Sequence, residues 1–159
     1  MKHSYELIPC DFSNAQHREA CAALIQNYMQ DPMGGELKPD TDHAERLLQG
    51  LTAHPSAYVL FVKDGNTFAG LTTYFINFST FRALPYINVH DVIVRKEHRG
   101  KGLGRAMLEH LIAYAEEQGF SKVTLEVRED NIPAQGLYKS LDFQDTIPPM
   151  RFWTKTIKE

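Results

Sequence analysis

Three glycines, Gly100, Gly102 and Gly104, fall within the stretch Arg99-Gly-Lys-Gly-Leu-Gly-Arg105. Glycine lets a backbone approach a ligand closely, and amides exposed where a helix begins favour an anion such as phosphate. Arg99, Lys101 and Arg105 add positive charge at the same spot, so these residues point to a phosphorylated cofactor. Two common phosphate loops do not fit. A P-loop needs Gly-Lys-Ser/Thr at its end, and neither Gly102 nor Gly104 is followed that way. A dinucleotide fingerprint needs Gly-x-Gly-x-x-Gly, and Arg105 or Met107 takes the last place. Just upstream, His90 has the intrinsic pKa suited to accepting a proton near neutrality, with Asp91 beside it. On a regular strand Asn88, His90 and Val92 share one face and Asp91 takes the other, so Asp91 joins His90 only if the strand carries a β-bulge. Glu126 is a weaker candidate on the following strand. Downstream, Tyr138 sits at an inward position of a helical pattern, where core packing alone would account for it.

The elements that must position these groups follow from periodicity. Tyr5 to Ile8 reads as a short strand ended by Pro9, and Ser13 with Gln16 has the form of a capping box opening a helix from about Asn14 to about Met29. Asp31-Pro-Met-Gly-Gly35 cannot continue that helix. A shorter helix is expected from about Thr41 to Gln49, with Gly50 at its end. Strands follow at 58–62 and 67–78, joined by an Asp64-Gly65 turn and therefore antiparallel, and a third runs over 86–94. Leu103 to Gln118 is an amphipathic helix stopped by Gly119. Alternation of Val123, Leu125 and Val127 with polar residues predicts a strand with one buried face. Asn131 caps a last helix with Pro133 in its first turn, and Met150 to Ile157 is expected to close the sheet as a strand. This order predicts an α/β fold in the α+β sense: a mixed, mostly antiparallel sheet flanked by helices, in one domain over 1–159.

Composition narrows the function classes. A net charge of −3 gives no reason to expect nucleic acid or an anionic membrane as partner. No run approaches the roughly 18 apolar residues that would span a bilayer. Cys10 and Cys21 have neither CxxC nor Cys/His ligand spacing, which argues against a disulfide framework or metal site and fits a reducing cytoplasm. His3, His17, His43, His54, His98 and His110 show no ligand spacing either, and are expected at the surface.

Arg99-Gly100-Lys101-Gly102-Leu103-Gly104 matches the Gln/Arg-x-x-Gly-x-Gly/Ala signature of the GNAT acetyltransferases. Asn131-Ile-Pro-Ala-Gln-Gly-Leu-Tyr138-Lys-Ser-Leu-Asp-Phe143 resembles the same superfamily's Asn-x-x-Ala-x-x-Leu-Tyr-x-x-x-Gly-Phe element, with Asp142 where glycine is usual. Asp tolerates the left-handed turn expected there. The order of elements resembles that superfamily over nearly the whole chain, including central strands that splay apart.

The resemblance implies acetyl-CoA as co-substrate, no metal, and direct attack by an amine in a ternary complex. Gly100, Lys101, Gly102, Leu103, Gly104 and Arg105, with Arg99, would hold the pyrophosphate. The strand segment Val92, Ile93, Val94 would pair with the pantetheine arm, and the Val92 amide would donate to the thioester oxygen. Asn131 would contact that arm or hold the splayed strand, besides capping its helix. Tyr138 would be the general acid for the departing thiolate. His90 or Asp91 would supply the base, a residue-by-residue transfer of the family's strand glutamate being impossible here. The acceptor pocket would be walled by the segments 31–37 and 77–86, with Met33, Gly34, Phe78, Phe81, Tyr86 and Arg82, the last either meeting an acceptor carboxylate or simply solvated. The expected acceptor is a primary amine on a small, amine or amino-acid-like molecule. Alternatives are protein or peptide N-acetylation and a non-catalytic acyl-CoA-binding module. Many relatives dimerise, so a homodimer is open, with no interface fixed by the sequence.

Overall fold

A computed structural model describes residues 4–158, which form two compact units divided after Glu126. The first unit holds strand β1 (Tyr5–Pro9), helix α1 (Ala15–Met29), a 3₁₀ turn (Pro32–Gly34), α2 (His43–Ala53), β2 (Ala57–Asp64), β3 (Thr67–Ser79), β4 (Leu84–Val94), a second 3₁₀ turn (Lys96–His98), α3 (Leu103–Glu117) and β5 (Val123–Leu125). One sheet runs in the order β1-β2-β3-β4-β5, antiparallel except for the β4–β5 pair. A parallel pair needs a crossover, and α3 supplies it.

Helices cover both faces. Ala20, Cys21, Leu24 and Leu48 of α1 and α2 pack on Val59, Phe61, Leu71 and Ile93. Alternate residues point the other way, so Leu60 and Val62 belong to the face on which α3 lies across β2 to β5. Leu103, Met107, Leu108 and Leu111 of α3 are all fully buried, each contributing about 1.5–3 kcal/mol of apolar transfer. Gly119 stops α3 in a left-handed conformation, φ 69°, as its position after the last periodic residue predicted.

Several boundaries differ from the sequence reading. Asn14, not Ser13, caps α1: its side chain accepts from the Gln16 and His17 amides, while Ser13 donates to Asp11. Gly50 lies inside α2, which runs to Ala53. A glycine weakens a helix interior without ending it, and Pro55, two residues past the last helical one, is the stronger stop. β4 begins at Leu84 and β5 spans only Val123–Leu125. Among the described residues no strand follows β5, so Met150 to Ile157 does not close the sheet. Alternation there supplies strand propensity, but a strand also needs a ladder, and the second unit offers none.

The remaining histidines are not uniformly superficial. His17 packs edge-on against Phe61 and Phe68, and His98, 16% exposed, bonds Asp64. His43 is half-buried beside Gln26, whereas His54 and His110 are exposed. His3 lies outside the described residues. Cys10 and Cys21 are free thiols, and burial pushes that of Cys21 up to about 12.

Candidate active site

The glycine loop is anchored at its start. The Arg95 amide donates to Ala69 O at 2.8 Å and Arg95 Nε to Phe68 O at 3.0 Å, clamping the end of β4 to β3. The chain then turns through Lys96–His98 and reaches Gly100 (φ 77°) and Gly102 (φ 80°). Both lie in the left-handed region, where an L side chain costs about 1–2 kcal/mol. Gly102 is the N-cap of α3 and places no side chain on the first-turn amides. Those amides have no acceptor inside their own helix, so with the helix dipole they form a site for an anion. That geometry fits a pyrophosphate.

The bases around the loop each already face a carboxylate. Arg99 Nη2 lies 3.1 Å from Asp31, while its Nε donates to Val94 O at 3.0 Å. Lys101 Nζ lies 2.8 Å from Asp64, which also bonds His98, and Arg105 sits 3.4 Å from Glu109 on the next turn of α3. In the folded chain each of the three has a carboxylate partner of its own.

β4 contains the bulge on which the role of Asp91 depended. Thr73 pairs with Asp91 and Tyr74 with Val89, leaving His90 without a partner in β3. The extra residue changes which side chains share a face. Asp91 now accepts from Thr73, on the face where Leu71 meets Ile93, and His90 contacts Phe75 on that same face. The regular-strand reading, with Asp91 opposite to His90, is therefore corrected. His90 Nδ1 lies 3.2 Å from Asp91 Oδ2, and this hydrogen bond is the main reason that the imidazole pKa is raised, partial burial working against it. Beyond Val89, β4 has no partner in β5. The segment Val92, Ile93, Val94 thus carries an open edge on the β5 side within the first unit, able to receive an extended, amide-bearing ligand arm.

At the far end of α1, Asp31 caps the Pro32–Gly34 turn by accepting from the Met33 amide, which, ahead of Arg99, holds its carboxyl below the usual range. Gly34 is required there: a Cβ would lie 1.8 Å from Tyr28 O. A pocket of about 210 Å³ opens between this turn and the end of β4, lined by Asn27, Tyr28, Asp31, Val94, Glu97 and Arg99 among others. Asn27, Tyr28 and Glu97 line this pocket without standing out in the sequence, since nothing in their spacing distinguishes them from ordinary helix and loop residues. Phe78, Phe81 and Arg82 lie elsewhere, on the exposed tip of the β3–β4 hairpin, with Tyr86 just behind under Lys122 Nζ. That tip is separated from Met33 and Gly34 by nearly the length of β4, at about 3.3 Å per residue. The structure does not bring these two groups of expected acceptor residues together.

The second unit contains α4 (Ile132–Lys139). Asn131 caps it by accepting from the Ala134 amide at 3.3 Å. The helix ends with Phe143 N bonded to Tyr138 O and with Asp142 left-handed, φ 63°, in the place where glycine would be usual. Tyr138 is half-buried, its ring edge-on to Phe143 at 6.0 Å.

Comparison with known proteins bears on the family and the fold. Over 73 residues, 46% of this chain, the sequence is 38% identical to the ribosomal protein bS18-alanine N-acetyltransferase of Escherichia coli, of which the match covers 49%. The chain spans about half or less of the length of several curated relatives that it matches. A crystal structure of a probable acetyltransferase superposes with a TM-score of 0.80 at 18% identity, covering 97% of this chain and 99% of the other. An aminoglycoside acetyltransferase from an uncultured soil metagenomic sample, crystallised with trehalose, gives 0.77 at 17% identity and 97% coverage of both chains. The model of the acetyltransferase (GNAT) family matches residues 21–143, most of the chain, and the protein belongs to that family.

Proposed function

We propose that the protein is an N-acetyltransferase that moves an acetyl group from acetyl-CoA to a primary amine of a small molecule. The observation that carries this reading is the uncapped start of α3 behind Gly100 and Gly102, next to the open edge of β4. Acetyl-CoA would supply the activated thioester. Loop amides from Gly100 to Arg105 hold its pyrophosphate, the Val92, Ile93 and Val94 backbone aligns the pantetheine arm, and the Val92 amide steadies developing negative charge on the thioester oxygen. Asn131 is assigned to the arm on the motif alone.

His90 takes a proton from the acceptor's ammonium so that the neutral amine attacks the thioester carbon, and the proton its nitrogen sheds as the C–S bond breaks passes to water. Asp91 holds hydrogen on Nδ1, leaving the Nε2 lone pair as acceptor. Tyr138 protonates the departing thiolate, a role drawn from the Asn131-to-Phe143 motif. A pocket of about 210 Å³, smaller than the ~300 Å³ lower bound for drug-sized ligands, supports a small acceptor over a large one. The likeness to a ribosomal-protein acetyltransferase favours a second reading, acetylation of a protein N-terminus. Thiol release from acetyl-CoA, measured against a panel of small amines and a panel of peptides, tests both. Release with small amines alone supports the first reading, release with peptides alone the second. Acetyl-CoA binding without acceptor-dependent release defeats both and leaves a binding module.

A further inference from the structure

Two polar side chains, Thr72 and Thr73, are buried among the described residues, 0% and 4% exposed, and both donate to Asp91. Thr72 Oγ1 donates to the Asp91 carbonyl at 2.8 Å, and Thr73 Oγ1 to Asp91 Oδ2, the oxygen that also faces His90 Nδ1. Burying a hydroxyl is unfavourable unless it is bonded, and valine would fill the same space in a strand interior without that cost. The core of this sheet nevertheless places two consecutive hydroxyls there, and Asp91 receives both.

We propose that Thr73, seconded by Thr72, is the positioning residue of the His90–Asp91 pair: its hydroxyl fixes the Asp91 carboxylate and, through it, the imidazole. This rests on the reading of His90 as the base. The bulge explains the need. His90 has no partner in β3, so the ladder cannot orient it, and the ladder is locally disrupted at the bulge. Thr72 secures the Asp91 main chain there. Thr73 secures its side chain. The Phe75 ring, edge-on at 5.8 Å, bounds His90 on the β3 side. Asp91 beside it and Glu126 past β5 are the charges acting on the imidazole, while the Cys21 thiol of α1, near Asp91, stays neutral at about 12.

Thr73→Val tests this, with His90→Gln as reference and Thr73→Ser as rescue. The expected result for Thr73→Val is a fall in kcat of about tenfold with KM for acetyl-CoA within about twofold of wild type. The acid limb of kcat/KM for the acceptor moves down by roughly half a pH unit, because His90 loses part of the carboxylate that favours its protonated form. Thr73→Ser restores rate and limb, and in the His90→Gln background Thr73→Val has no further effect on kcat. If Thr73→Val does not fold, Thr73→Ala and an NMR titration of the His90 ring give the same comparison. A Thr73→Val enzyme with unchanged kcat and unmoved acid limb, beside a crippled His90→Gln, overturns the positioning role while leaving the base in place. A fully active His90→Gln overturns the base reading and this proposal with it.

Discussion

Gly102→Ala isolates what the glycine loop contributes. Gly102 and Gly50 both face open space, with no atom within 4 Å of an added Cβ. They differ in backbone: Gly102 sits at φ 80° before α3, whereas Gly50 lies inside α2. Sterics being absent, conformation alone decides the outcome. Alanine at Gly102 costs about 1–2 kcal/mol if the loop keeps its shape. Alanine at Gly50 gains about 1 kcal/mol of helix propensity. For a chain of this size each kcal/mol moves Tm by roughly 2–4 °C, so Gly102→Ala is expected to melt lower than wild type and Gly50→Ala higher. Relaxing the strain requires the loop to turn, which takes the first-turn amides off the anion. Every 1.4 kcal/mol lost there weakens acetyl-CoA about tenfold, so calorimetry should show Gly102→Ala binding acetyl-CoA at least about tenfold more weakly, with Gly50→Ala unchanged. A Gly102→Ala protein with wild-type Tm and wild-type affinity for acetyl-CoA would refute both the strain and the anion site.

Other perturbations read the remaining parts. Tyr138→Phe keeps the ring packed on Phe143 and removes the hydroxyl proposed as the acid, so steady-state kinetics should show kcat down by at least about 10² with KM for acetyl-CoA little changed. A base must be neutral to accept a proton, so with His90 proposed as the base kcat/KM should rise with pH through its raised pKa, and Asp91→Asn should shift that limb down toward about 6.5 in a pH–rate profile. By linkage the His90–Asp91 contact stabilises the fold below the ordinary histidine value, and this contribution fades as pH rises through the raised folded value, a trend visible in denaturant melts of wild type against Asp91→Asn. Asp31→Ala removes the cap of the Pro32–Gly34 turn and the partner of Arg99, and should cost about 0.5–2 kcal/mol in urea unfolding.

Much of the frame was legible because periodicity and punctuation agree. Leu103 to Ala115 repeats at helical spacing, Gly119 ends it, and Asp64-Gly65 turns β2 into β3, so α3 and the hairpin emerge close to their observed bounds. Local chemistry misled where neighbours overrule it. Ser13 looks like a cap but bonds Asp11, leaving Asn14 to close α1. The alternation of Met150 to Ile157 predicted a strand that finds no ladder. At the site, the loop's conformation could be read directly because Gly100 and Gly102 occupy left-handed backbone that favours glycine. Whether Asp91 faces His90 could be posed but not answered, since a bulge is a property of the β3–β4 register and leaves no mark on β4 alone. The carboxylate partners of Arg99 and Lys101 lie far off in sequence, at Asp31 and Asp64, beyond what local patterns report.

Acetyl transfer from CoA to an amine is tested most directly by the free thiol produced from acetyl-CoA as a function of added acceptor, with the acetylated product identified by mass. Saturable, acceptor-dependent thiol release is expected with at least one class of small primary amine, slowed at least about 10² in Tyr138→Phe and crippled in His90→Gln. Tight acetyl-CoA binding with no acceptor-dependent thiol from any small amine would contradict it.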